Sequence, residues 1–556
     1  MAIALLLSLC GGAALAAAHR PSARTSDPPA AEPSTDVPTE LPAEILAFSE
    51  DTRTPMAISL KDAVELTVGQ NAQLVSARVD ETIAGAEKLR AWNVFVPVFR
   101  ADFGATRSWR EATADSGFPN SSLRALQGGA GVTSFVPTGT SLAASVRLVE
   151  NSNDARAAAF YKDHFAIVRF ELTQSLIRRI GLNVDLASFL VAKAGHKAAE
   201  QRLQFVCEQI VQRVGQAYFG MLETTEVYKA RREGRRLAVD LYDLTKRRIA
   251  NGSAAPYEVF QAQSSLAARY SVELAAEQSL DFANEALLQL FNARIRTDGR
   301  VSAQSMLVLA QDAEPIYAGD PLEQLFDRAL KQRPDFLASQ SDVEGADAQH
   351  YAAFRNSLPE LSARGFVEAQ GAAGFLSDTA VRNISNSLST FDPRRIGNLG
   401  SAFQNVGDLS FWNWGVFLQL EVPLLLGAER ANLKIAAAAL QRTQASRIAI
   451  EQQLRTDVAI AHAQQARAIR RVTVAKASLD AARQNLAAET KKMKLGSSTN
   501  FDVLRIQDEV INAYVNIATA KAELGRATVN LRFALGEGRE GMRFEVKSIF
   551  ADERAR

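Results

Sequence analysis

The sequence has little cysteine, little histidine and almost no net charge, and each shortage removes a class of function. Two cysteines, Cys10 and Cys207, lie far apart in 556 residues, with Cys10 inside an apolar leader, and they offer no disulfide framework. The five histidines (His19, His164, His196, His350 and His462) are scattered without ligand spacing, and neither they nor the six methionines give support for a soft-metal relay. No metal site and no cofactor are expected. Lys plus Arg is 63 and Asp plus Glu 62, a net charge of +1, which gives a nucleic-acid partner no electrostatic footing. After residue 18 there is no run of about 18 consecutive apolar residues, so a membrane could be crossed only by strands. No phosphate-binding loop and no catalytic constellation occurs, so the chain is not expected to be an enzyme.

Residues 2–18, apolar and ending in small residues, read as a secretory signal (1–18), although without the usual basic start. Lipid attachment at Cys10 is disfavoured because Leu9 stands where a small residue is expected. Pro21, Pro28, Pro29, Pro33, Pro38 and Pro42 then crowd a stretch of Ser, Thr and Ala, and 19–56 reads as a disordered spacer. Residues 538–556 read as a C-terminal tail.

Elsewhere proline and glycine are missing over long distances. Glu429 to Leu495 contains neither, which permits one helix roughly 100 Å long. After Leu495-Gly496-Ser497-Ser498-Thr499, the residues Val503, Val510, Ile517, Leu524 and Leu531 recur every seven, each followed three positions on by Ile506, Ala513, Ala520, Ala527 or Ala534. Val472, Leu479, Leu486 and Met493 step likewise on the ascending side, with Ala475 and Ala482 between them. Large residues facing alanines along such a seam predict an antiparallel coiled-coil hairpin.

The pattern occurs twice. At the offset separating Gly252 from Gly496, Val259, Leu266, Leu280 and Leu287 fall on Val503, Val510, Leu524 and Leu531, and the first seam is broken only at Arg269 and Glu273. Leu60 to Pro97 aligns without a gap on Leu322 to Pro359, with Gln70, Asp80, Ala84 and Ala86 meeting Gln332, Asp342, Ala346 and Ala348. The reading is two tandem units, 57–320 and 321–537, each a helix, then strands, then a long helical hairpin.

Between the helices the period changes to two. Phe99, Ala101, Phe103, Ala105 and Trp109 alternate with Arg100, Asp102, Gly104, Thr106 and Ser108, and Trp412, Trp414, Val416, Leu418 and Leu420 alternate with Asn413, Gly415, Phe417, Gln419 and Glu421. Further candidates are Ala166, Val168, Phe170 and Leu172, then Leu361, Ala363, Gly365 and Val367, and a hairpin from Gly131 to Val149 turning at Pro137-Thr138-Gly139-Thr140. Gly371 to Asp408 reads as a polar surface loop. Lipid-facing barrel strands and soluble half-buried strands share this alternation, so both readings stand on these runs. The open edges of so few strands call for several chains.

In combination, these residues resemble the TolC-type outer-membrane efflux proteins over about residues 57 to 537. The resemblance rests on Ile58-Ser59-Leu60-Lys61-Asp62-Ala63, Leu172-Thr173-Gln174-Ser175-Leu176, Arg333-Pro334-Asp335, Val422-Pro423-Leu424 and the glycine-containing hairpin tips. It implies an α+β membrane protein: a homotrimer in which four strands per chain form a 12-stranded barrel in outer-membrane lipid, continued by a coiled-coil tunnel in the periplasm. It further implies a passive exit duct for efflux or type I secretion, joined by a periplasmic adaptor (membrane fusion) protein to an inner-membrane pump of RND or ABC type. The rival reading is a periplasmic coiled-coil scaffold without a pore.

The resemblance places a pore gate of acidic residues at the hairpin tips, on Asp502 and, through the repeat, Glu258, with Arg505 where a second acid is expected. It makes Gly252, Ser253, Gly496 and Ser497 candidate adaptor contacts. Simpler roles stand beside these. Thr499 with Asp502, and Pro256 with Glu258, suit helix starts, and glycine and serine suit turns.

Overall fold

A computed structural model describes residues 46, 54–110, 121–153, 160–252, 255–291, 305–309, 319–378, 380–381, 392–409, 411–422, 427–495 and 497–538. All but the first belong to the unit Asp51–Arg556. The main elements in chain order are β1 (Thr54–Ile58), α1 (Leu60–Gln70), α2 (Ala72–Trp92), β2 (Val98–Arg110), β3 (Ser121–Val136), β4 (Thr140–Asn153) and β5 (Phe160–Ser175). Next come α3 (Ala187–Ala250), α4 (Tyr257–Leu290), β6 (Ser305–Leu309), α5 (Leu322–Gln332), α6 (Pro334–Asn356) and β7 (Glu360–Leu376). The chain closes with α7 (Leu399–Gly407), β8 (Trp412–Glu421), α8 (Gly427–Lys494) and α9 (Asn500–Leu535). The leader with Cys10, the spacer up to residue 53 and the tail after residue 538 lie outside the described residues, residue 46 apart. Thr54–Met56, counted with the spacer, instead pair in parallel with Ser305–Leu307.

The long helices follow the seven-residue pattern. α8 runs unbroken for 68 residues, and Leu479 and Ala482 pack against Val510 and Ala513, as Ala468 does against Leu524 and Ala527. In the other hairpin Ala262, Leu266, Ala276, Leu280 and Leu287 are buried. The two hairpins meet where α3 crosses α9. A side chain at Gly525 would collide with the Phe219 ring, and one at Gly215 with Val529, so both positions need the missing Cβ for the helices to approach.

The short helices close the base of each hairpin. α1, begun by a Ser59–Asp62 capping box, buries Ala63, Val64 and Val68 with Ile210, Val214, Tyr218 and Leu287. α5 buries Leu325 and Ala329 with Leu454, Val458 and Leu531. Arg333, in the Arg333-Pro334-Asp335 motif, holds Asp335 and reaches α8 through Asp457, each at 2.9 Å.

The strands form one antiparallel meander, β2-β3-β4-β5-β7-β8. Its six strands correct the four per chain that the resemblance implied. The hairpin turning at Pro137-Thr138-Gly139-Thr140 is longer than its sequence pattern suggested, and it is inserted between β2 and β5, with β3 paired to β2 through Thr133 and β4 paired to β5 through Ser152. The expected polar loop at Gly371–Asp408 is also corrected at both ends. β7 continues to Leu376 because its small residues pair with the far half of β5. Leu399–Gly407 is a helix capped by Asn398, with Ala402 and Val406 packed on Ala166, Ala369 and Ala373.

The α3–α9 crossing predicts opposite outcomes for two Gly→Ala changes. Gly525→Ala forces the Phe219 ring out of its seat and is expected to cost about 1–3 kcal/mol. Gly195→Ala, on an exposed helical position with open space around it, is expected to be neutral or slightly stabilising. Thermal unfolding of the two variants against the parent checks both.

Candidate functional site: a two-faced sheet and the hairpin tips

Registers across the sheet line up residues of successive strands in common rows. Phe103 stands opposite Gly128, which stands opposite Leu148, then Ala166 and Gly371. Neighbouring rows carry Phe99, Val132, Ala144, Phe170, Val367 and Trp414. One face is therefore apolar across all six strands, and its large side chains are bare: Phe103 is 83% exposed and Leu418 71%. About seven residues per strand rise roughly 23 Å along the strand, which at the tilt of outer-membrane barrel strands gives a band roughly 17 Å tall, somewhat shorter than their usual roughly 25 Å. The band ends at Arg107, Arg124, Glu150 and Lys162, where Glu150 pairs with Lys162 at 2.7 Å.

The opposite face is mixed, with charged groups set among Phe135, Val149, Phe165 and Ile167. Arg169 lies 2.9 Å from Glu171 and 3.4 Å from Glu368, and Arg364 reaches Glu171 at 2.6 Å. Arg169 also covers the Phe366 ring, which stacks on Phe417. No helix among the described residues is long and apolar enough to cross a membrane.

At the second tip, Thr499 and Asp502 form a reciprocal capping box: the Thr499 hydroxyl accepts from the Asp502 amide and donates to the Asp502 carboxylate at 2.6 Å. Those bonds, helped by Arg505 and Lys492, hold the Asp502 carboxyl below its usual range. Arg505 spends its ion pair on Glu509 at 2.6 Å. Ser497 is exposed and bonds back to the Lys492 carbonyl, and Ser498 donates to Glu489.

At the first tip, Glu258 accepts from the Ala255 amide at 3.2 Å, and Pro256 sits one place before the first helical residue rather than in it. Gly252 has a left-handed φ of 70° in open space, as the turn requires. Ser253 and Gly496 lie outside the described residues.

Arg269, which reads in sequence only as a break in the seam, is a clasp between the hairpins. Its guanidinium donates to the Gly234 carbonyl on α3 and to Gln507 and the Leu504 carbonyl on α9, and it pairs with Asp508 at 2.9 Å. The other break, Glu273, makes a buried pair with Arg235 at 2.6 Å, where burial pushes its carboxyl up against the pull of Arg235 and Arg232. A charge in an apolar seam was the available signal. The partner lay more than 200 residues away for Arg269.

His196 faces Glu81 at 3.2 Å through Nε2 and Glu200 at 3.6 Å through Nδ1, joining α2 to α3. Among the described residues this is the one group with three possible metal donors, and each ring nitrogen is already turned to a carboxylate.

The capping box has a pH dependence of fixed sign. A carboxyl depressed in the folded state stabilises fully above the ordinary aspartate value, and that contribution is lost as pH falls through the depressed value. The acid-side fall of the melting temperature is therefore expected to be shallower in Asp502→Asn than in the parent. Thr499→Ala is expected to cost about 1 kcal/mol at neutral pH. Melting curves between pH 2 and 7 check both.

The sequence model of the outer membrane efflux protein family matches residues 325–537. Among solved structures, the outer-membrane channel OprN aligns at 17% identity over 88% of this chain and 94% of its own, with a TM-score of 0.57. The CmeC outer membrane channel of Campylobacter jejuni aligns at 17% over 94% and 97%, with a TM-score of 0.58. The open state of the MtrE outer membrane channel of Neisseria gonorrhoeae aligns at 17% over 86% and 89%, with a TM-score of 0.55. No curated protein matches the chain. Residues 325–537 thus carry the sequence of the outer membrane efflux protein family, and the chain around them has the fold of the outer-membrane channels, as the resemblance to TolC-type proteins led one to expect.

Proposed function

We propose that the protein is a passive outer-membrane channel, the exit duct of a tripartite efflux or type I secretion system. The observation that carries this reading is the sheet: an apolar face that runs over six strands and is bare outside the patch under α7, backed by a face that carries its own ion pairs. A soluble scaffold would have to cover that face with protein, and α7 covers only the part around Ala166 and Ala373. Three copies form the duct in the outer membrane, and the helical hairpins, roughly 100 Å long, extend it into the periplasm. A periplasmic adaptor docks at the tips around Gly252, Ser253, Gly496 and Ser497, and an inner-membrane pump of RND or ABC type supplies the energy.

The tips form the gate. In a trimer Glu258 and Asp502 contribute six carboxylates around one axis, which attracts cations and opposes anions. Helix capping and gating are compatible roles for Asp502, since its capping bonds leave the carboxylate partly exposed. Arg505, engaged with Glu509, weakens the ring only by its nearby charge. Arg269 keeps the two tips together, because separating them breaks its bonds to Leu504, Gln507 and Asp508.

Single-channel conductance in planar bilayers tests the reading. The wild type is expected to show a small cation-selective conductance that rises and loses selectivity in Glu258→Ala with Asp502→Ala. Arg269→Ala is expected to raise conductance while keeping cation selectivity. Conductance unchanged by the double substitution would reduce the carboxylates to helix caps. A protein that is soluble without detergent and makes no pores would overturn the channel in favour of the scaffold.

A further inference from the structure

The geometry points to a barrel of eighteen strands, in which all six strands of each of three copies, the β3–β4 hairpin included, form the wall. This inference rests on the trimeric channel proposed above and concerns what that channel's wall is made of.

The inserted hairpin is built as wall. Its outward residues, Leu126, Ala130, Val132, Leu142, Ala144, Val146 and Leu148, lie on the same rows as Phe99, Phe103, Ala166, Val168, Phe170 and Val367. Its other face carries Gln127, Thr133, Ser145, Arg147 and Asn151, in line with Arg100, Asp102 and Arg169. A hairpin folded into the lumen as a plug would be wet on both faces and would have no use for this alternation. It also cannot leave the sheet cheaply. β3 pairs with β2 through thirteen residues, Ser121 to Thr133, and β4 with β5 through thirteen, Thr140 to Ser152. Removal would expose two more rows of unpaired backbone groups, which hydrocarbon does not tolerate.

Among the described strands the remaining free edges are β2 and β8. A meander of six strands is even, so β2 and β8 run in opposite directions, and β8 of one copy meets β2 of the next in antiparallel pairing all the way round. Both edges keep their apolar residues on the same outward face, Phe99 and Phe103 on β2 and Trp414, Val416 and Leu418 on β8. A second copy on each edge satisfies the backbone and continues the band.

Barrel diameter grows roughly in proportion to strand number, so eighteen strands give a lumen about 1.5 times as wide as twelve, and about twice the cross-section. The lumen side of β3 carries the small residues Ala125, Gly129, Gly131 and Thr133 along with Leu123, Gln127 and Phe135. The barrel is then a wide mouth that does not sort cargo by size, and selection stays with the tips.

Electron cryo-microscopy of the full-length protein, purified in detergent, counts the wall directly. Three copies with eighteen strands, β8 beside the neighbour's β2, is the expected result. Three copies with twelve strands, the hairpin outside the wall, would overturn the inference and leave the channel standing. A detergent-independent monomer would overturn both.

Disulfide trapping gives a second readout. Gln419→Cys on β8 is combined in turn with Arg100→Cys, Asp102→Cys and Gly104→Cys on β2. At least one pair is expected to give cross-linked dimers and trimers under oxidation, with Cys207 buried and silent. The pair Asp102→Cys with Gly129→Cys is expected to close within one chain. Absence of both kinds of link, in protein that still forms trimers, would overturn the proposed wall.

Discussion

A sheet with one bare apolar face and two unpaired edges has no stable existence alone in water, and the rest of the molecule is arranged around that constraint. The apolar face needs lipid or protein, and the edges need other strands. Both demands point outward from the chain, so the sheet is a fragment of a larger closed structure. The opposite face, with the Arg169–Glu171–Arg364 cluster, is the side that such a closure would turn to water.

The helices work under a different rule. They are bundled by a narrow apolar seam, with alanines facing larger residues, and their outer surfaces stay polar. Stiffness comes from length and from close approach. Gly525 admits the Phe219 ring, and α3 and α9 become neighbours rather than two separate hairpins. Charged groups cross-link the same interface at Glu223–Arg526 and Arg269–Asp508. Near the tips the buried seam, which runs to Val503, is joined by capping bonds and by the Arg269 clasp.

Much of this was legible beforehand, and the failures have physical causes. The alternation in β2 and β8 is carried by large aromatic and branched residues, which makes the period plain. β3 contains Gly128, Gly129 and Gly131, and the far half of β7 reads Gly371-Ala372-Ala373-Gly374, so neither has enough side chain to reveal a period of two. Such stretches become strands because a neighbour offers them a ladder. The Arg269 clasp was hidden for another reason: pairing across hairpins leaves no local pattern, only an unexplained charge in a seam. For Asp502 the sequence already contained the cap, since Thr499 and Asp502 stand at capping-box spacing.

By itself the sequence determined the periods. It specified where the chain coils with a seven-residue repeat, where it alternates every two residues, and where proline and glycine separate the two, because these depend on backbone geometry and on residues close in the chain. Only the tertiary structure decided how many strands share the sheet, which of them form its edges, and which partner each seam charge finds. Those outcomes depend on hydrogen bonds and ion pairs between residues far apart in sequence, whose formation no local pattern can dictate.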